Sequence, residues 1–324
     1  MFDTLAPDPL TDNTMSLNSM LHRARFLLLT LLLAPLIIGP AFTARADEEA
    51  ERPVIRWYYQ NFPPIHIITG EDAGQGFADK AISYMHARLP DYDHLKVLTS
   101  ATRIHNEVRT RENACHLGLF KTPEREEYAT FSEPLIEVLP NRVIALKSNR
   151  DIFDPYLTNA EEIDLPRLLA SGKFLYGVDS GRFYSSNINR LLADKSRAEG
   201  KVELVDPRLG ALIARGRISY GFAFAFEAAY RFRQLDEADS YFTLPIAGEP
   251  EFLQNYVGCN KSAFGAAVVE SVNKIAADVR LAHRRFYREW LDDDARTDFD
   301  TIMARHDAHP DPRDSEAKTR RGGN

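Results

Sequence analysis

The chain has 324 residues, 44% hydrophobic and 27% charged, a globular balance that excludes a disordered or collagen-like polymer. A net charge of −7 argues against a broad basic surface for nucleic acid, and no nucleic-acid partner is expected. The length suits one large domain or two of ordinary size.

Residues 1–46 read as an N-terminal extension and signal peptide. His22, Arg23 and Arg25 form a basic stretch, and residues 26–38 form an apolar run too short to span a membrane comfortably. Gly39 and Pro40 break that run, and Ala44-Arg45-Ala46 supplies the small residues for cleavage after Ala46. A retained anchor is the alternative; residues 1–19 read as an unstructured leader or a mis-chosen start. Export places the chain in the periplasm. There Cys115 and Cys259, the only cysteines, form one disulfide or stay as two buried thiols.

Residues 53–59 (PVIRWYY) are β-branched and aromatic and read as a first strand, which Pro63 and Pro64 end. From Phe77 the spacing of Ala81, Met85 and Leu89 is helical. A strand at 95–98, a helix at 102–111 and a strand at 114–120 follow, then a polar turn at 121–126 and an apolar crossover at 141–146. A second unit repeats the alternation: helix 165–170, strand 174–178, turn 180–182, helix 183–192, strand 202–205, helix 209–214, strand 218–225 and a helix from Glu227. Extended segments at 241–246 and 252–257 return the chain, and alanine-rich helix fills 263–291.

Alternating strands and helices predict an α/β fold of two lobes, each a mostly parallel sheet flanked by helices, with a ligand cleft between them. The expected boundaries are 47–146 and 247–295 for a discontinuous lobe 1, 147–246 for lobe 2, and a polar, disordered tail at 296–324.

The segment KTPEREEYATFSEP (residues 121–134) resembles the T-x-x-R…F-S-x-P signature of family 3 extracellular solute-binding proteins, the amino-acid-binding receptors of ABC importers. Tyr59-Gln60-Asn61-Phe62-Pro63-Pro64 is similar to that family's aromatic-Pro-Pro turn. Gly76-Phe77-Ala78-Asp79 is similar to its G-F-x-x-D helix start, and Val178-Asp179-Ser180-Gly181 to its second-lobe turn. The resemblance spans residues 53–291 and implies a periplasmic-binding-protein-like (type 2) fold. It also sets the strand of Cys259 beside that of Cys115, and so implies a disulfide between them.

Arg125 presents a planar fork of donors suited to a carboxylate, with the Thr122 hydroxyl three residues earlier. A surface pair with Glu124 or Glu126 is the alternative. Phe62 and Tyr59 are candidate walls for the body of a ligand, although strand alternation sends either Tyr58 or Tyr59 into the core. Ser180, Gly181, Arg182 and Tyr184 fall at an expected helix N-terminus, where free N–H groups accept an anion. The resemblance puts Phe224 where amino-acid receptors carry an ammonium-binding Asp, with Glu227 as the nearby substitute, so a standard α-amino acid is not the expected solute.

The expected function is capture of a small carboxylate-bearing solute by hinge closure, by a monomer serving an ABC permease. A ligand sensor for a separate membrane signalling partner, or a two-lobed enzyme, is the alternative. Neither cofactor nor metal is expected, and the chain carries no G-x-S-x-G, H-E-x-x-H or Walker motif of an enzyme.

Overall fold

The computed structural model describes residues 52–194, 199–205 and 208–309, which belong to a single compact unit. The expected signal peptide with its cleavage site, and the tail beyond residue 309, lie outside the described residues.

Four strands open the chain: β1 (Val54–Tyr59), β2 (Asp93–Leu98), β3 (Ala114–Leu119) and β4 (Ala129–Val138). Five follow, β5 (Asn141–Leu146), β6 (Tyr176–Asp179), β7 (Lys201–Leu204), β8 (Tyr220–Phe224) and β9 (Tyr241–Leu244), before β10 (Leu253–Asn260). The helices are α1 (Phe77–His86), α2 (Ala101–Thr110), α3 (Pro123–Glu126), α4 (Leu165–Ala170) and α5 (Ser186–Leu192). After them come α6 (Leu209–Ala214), α7 (Ala225–Arg233), α8 (Ala263–Lys274), α9 (Ala276–Arg288) and α10 (Asp293–Ala308).

Local chemistry sets many of the helix starts. Ser100, Ser185, Ser262 and Asp292 each accept the backbone N–H three residues on, satisfying a donor the helix leaves open.

The strands form two five-stranded sheets, ordered β2-β1-β3-β10-β4 and β7-β6-β8-β5-β9. Each has two parallel pairings at one side and two antiparallel pairings at the other. The sheets are therefore mixed rather than mostly parallel, because in each one strand returns antiparallel into the middle: β10 in the first and β5 in the second. Strand β5, expected at the end of the first lobe, pairs with β8 and β9 of the second sheet. Two connections join the sheets, one through Leu139 and Pro140 and one through residues 245–252.

Period-two alternation builds the first sheet. Trp57 packs on one face with Phe77, Met85 and Val268, and Tyr58 on the other with Ile104, Val108 and Phe131. The second sheet is covered in the same way, by Phe153, Leu168 and Ile188 on one face and Leu209, Ile213 and Phe232 on the other. Phe226 of α7, which follows second-sheet strand β8, belongs to the core of the first sheet.

Two findings refine the expectations. Cys115 and Cys259 face each other in the β3/β10 register and form the disulfide, with Cα atoms 4.1 Å apart, just below the usual lower limit of about 4.4 Å. The polar segment after Asp292, expected as tail from residue 296, is the helix α10. Its Ala295, Phe299 and Met303 are buried at the helical spacing of three and four residues, and they complete the core of the first sheet. Polar residues on the other face of α10 bind neighbours: Arg284 of α9 donates to Asp307, and buried Arg142 of β5 pairs with Asp298.

Candidate functional site

A cavity of about 190 Å³ lies beyond the carboxyl ends of β1 and β3, where it meets the β8–α7 junction of the second sheet. This is where open α/β sheets leave room for ligands. Phe62, Phe77 and Phe120 come from the first sheet's loops and α1; Phe224 and Phe226 come from the second. Ile65, Leu117, Ile136 and Val138 fill the spaces between the rings, and the polar lining is Gln60, His66, His116 and Asn255.

The turn after β1 is held tightly. The Pro63–Pro64 bond is cis, and Phe62 and His66 exchange two backbone hydrogen bonds of 3.2 and 3.0 Å. The start of α1 presses on this turn: a Cβ on Gly76 would lie 2.4 Å from the Ile65 carbonyl oxygen, so only glycine fits. Asp79, one turn into α1, accepts from the Ile67 N–H at 2.9 Å and binds His66 Nδ1 at 2.7 Å; both side chains are buried. This contact orients the His66 ring against Tyr59, with ring centres 5.1 Å apart.

His116 is set by β3. Its Nδ1 lies 2.8 Å from the Tyr58 carbonyl, which can only accept, so Nδ1 carries the proton and Nε2 is an acceptor. Burial pushes its pKa down to about 4, helped by the charges of His66, His105 and Arg125, so the ring is neutral at ordinary pH. Gly118 leaves the space beside this ring open. A Cβ there would lie 3.6 Å from His116 Nε2, and the backbone φ of +112° disfavours any other residue.

Arg125 is half-buried and adjoins the cavity-lining residue Phe120 without itself lining the cavity. Thr122 caps the short helix α3 by accepting from Arg125 N at 3.3 Å, Pro123 fixes the first turn, and Arg125 Nη1 donates to the Phe120 carbonyl at 2.9 Å. Phe120 itself lines the cavity. The neighbouring acids are engaged elsewhere: Glu124 with Arg109 at 3.9 Å and Glu126 with Lys121 at 3.2 Å. Among the described residues Arg125 has no carboxylate partner.

The second-lobe candidates are placed differently. Helix α5 starts at Ser186 rather than Phe183, because Ser185 caps it by accepting from Ile188 N at 3.0 Å. Ser180 and Gly181 are exposed in the preceding turn. Tyr184 is buried in the second sheet's core and accepts from Asp179 N at 2.8 Å; burial pushes its hydroxyl pKa up to about 12. Arg182 donates to Glu227 at 2.9 Å and to Asn141 at 3.2 Å. Glu227, only 1% exposed, also accepts the Phe224 N–H at 3.0 Å, which caps α7. The carboxylate of Glu227 is thus occupied by a guanidinium and a helix cap.

Of the candidates picked out from the sequence, Phe62 lines the cavity; Tyr59 adjoins it only through the His66 ring and Arg125 only through the Phe120 carbonyl, and Phe224 lines it from the second sheet. His66, His116 and Asn255 were missed by the sequence reading. A histidine inside the apolar strand ACHLGLF, two residues before a glycine, was the available signal for His116.

This architecture is the two-lobed, periplasmic-binding-protein-like (type 2) α/β fold. It is similar to that of a probable amino-acid ABC transporter extracellular-binding protein from Bacillus subtilis, with a TM-score of 0.55 and 15% identity over 75% of this chain and all of that one. A reconstructed ancestral cationic amino acid solute-binding protein aligns with a TM-score of 0.54 and 14% identity over 74% of this chain and 96% of its own. The second substrate-binding domain of Lactococcus lactis GlnP, in its open conformation, gives 0.53 and 12%, covering 74% of this chain and 96% of that domain. No protein-family model matches the chain, and no curated protein matches it in sequence.

Proposed function

We propose that the chain is a periplasmic solute-binding protein that captures a small carboxylate-bearing solute between its lobes and delivers it to an ABC importer. The observation that carries this reading is the aromatic cavity lined from both sheets, with Arg125 bound to the carbonyl of its lining residue Phe120 and, among the described residues, no carboxylate paired to that guanidinium. A planar cation already oriented by a backbone carbonyl loses little entropy when it binds a carboxylate in a bidentate way. Rings from both sheets bury the rest of the solute, so the closed arrangement offers more contacts than an open one and binding favours closure. Two connections between the sheets suit such a hinge. The fold's neighbours include a probable amino-acid ABC transporter extracellular-binding protein, which supports an ABC transporter as partner.

The full chain, expressed and purified from periplasmic extract, should gain melting temperature with one or more carboxylate-bearing solutes, saturably and without consuming them. Arg125→Ala should weaken that solute by roughly 10- to 100-fold, the loss of a charge-assisted hydrogen bond, with the melting temperature of the free protein nearly unchanged. Undiminished affinity in Arg125→Ala would remove the assigned role.

A further inference from the structure

The polar lining of the cavity is Gln60, His66, His116 and Asn255. No aspartate or glutamate lines it, and Glu227, the nearby candidate, is bound to Arg182 and the α7 cap. A ligand ammonium buried there would meet no counter-charge, which is costly. His116, by contrast, carries its proton on the nitrogen that faces the Tyr58 carbonyl, and its Nε2 makes no hydrogen bond to another described residue. Gly118 leaves the space beside that nitrogen open. His66 spends its Nδ1 on Asp79 and lines the same cavity.

The apolar part of the lining fits a flat ring. Five phenylalanines enclose it from both lobes, and edge-to-face packing is already in use between Phe77 and Phe226, whose centres are 5.2 Å apart. An apolar cavity of about 150 Å³ holds one benzene ring, so about 190 Å³ has room for a ring and a few further atoms.

We infer that the solute is a single-ring or small fused-ring aromatic acid carrying a hydrogen-bond donor on the ring, a phenolic O–H or a ring N–H, which His116 Nε2 accepts. The ring lies among Phe62, Phe224 and Phe226, and the carboxylate extends past Phe120 to Arg125. This assignment rests on the solute-binding reading above and narrows it to a chemical class. A filled site without that donor leaves a buried acceptor unpaired, and such an acceptor rejects an otherwise similar ligand.

The test is calorimetric titration of the full chain from periplasmic extract with matched probes. The set is the three hydroxyphenylacetates, phenylacetate, the three methoxyphenylacetates, indole-3-carboxylate and its N-methyl form, with succinate and glutamine as aliphatic controls. The expected result is that at least one donor-bearing ring acid binds about tenfold or more tighter than both its unsubstituted and its methylated counterpart. In His116→Phe the ratio should fall to near one. The comparison on the unsubstituted chain needs no variant, so it stands even if His116→Phe fails to fold. Equal affinity for phenylacetate and every hydroxyphenylacetate, with indole-3-carboxylate no better than its N-methyl form, overturns the donor assignment. Binding of succinate or glutamine with no ring acid bound overturns the aromatic assignment and leaves solute capture standing. No binding by any probe overturns this inference together with the carboxylate reading it rests on.

Discussion

His283 shows how a single side chain can oppose the fold it belongs to. It is fully buried in α9, stacked on Tyr287 with ring centres 5.7 Å apart and edge-on to Phe77 at 5.5 Å. Neither ring nitrogen has a hydrogen-bond partner among the described residues, and burial pushes its pKa down to about 3. An unpaired buried polar group costs about 1–3 kcal/mol, so His283→Leu, close in volume, should raise stability by about 1–2 kcal/mol. Urea denaturation of the two proteins measures this, and a less stable variant would mean that the ring packing outweighs the unpaired nitrogens. The Arg182–Glu227 pair is the opposite case, since each of these charges is matched. That matching is why two residues picked out for ligand contact are already engaged with each other.

Among the elements, α10 contributes most beyond what its composition suggests. Asp and Arg crowd its sequence, yet the spacing of Ala295, Phe299 and Met303 gives it one apolar stripe against the first sheet's core. The opposite face is tied by Arg284–Asp307 and Arg288–Asp300 to α9, and by Arg142–Asp298 to β5 of the second sheet. Phe299 is 1% exposed and packs edge-on against Tyr287 at 4.9 Å. Phe299→Ala should therefore cost about 3–5 kcal/mol, the usual loss for an aromatic removed from a core. The loss should appear as a lower denaturant midpoint with little change in slope. A change below about 1 kcal/mol would show the helix to be dispensable. In the same sheet the Cys115–Cys259 bridge joins strands 144 residues apart and ties the returning β10 to β3.

Among the described residues burial lowers the pKa of His86 and His283 to about 3 and of His116 to about 4, and lowers those of His94 and His105 in the same direction. Unfolded, each titrates near 6.5. Between those values the unfolded chain binds protons that the folded chain does not. The stability contributed is complete above about pH 6.5 and falls as pH drops towards the folded values, by about 1.4 kcal/mol per pH unit for each histidine. Urea denaturation at pH 7.5, 6, 5 and 4.5 should show that decline, with a shallower slope in His283→Leu; a flat profile above pH 4.5 would contradict it. The sequence by itself determined the alternation of strands and helices, because apolar period and turn residues are local signals. Through resemblance it also implied the pairing of Cys115 with Cys259. Only the tertiary structure decided that β10 and β5 return antiparallel, making the sheets mixed, since strand order depends on contacts far apart in the chain. It also turned residues 296–308 from an expected tail into a core helix, as the value of Phe299 depends on the sheet it meets. The same holds at the cavity. Whether Glu227 is free or paired, and which nitrogen of His116 accepts, depends on neighbours 45 and 58 residues away. No local pattern encodes those distances.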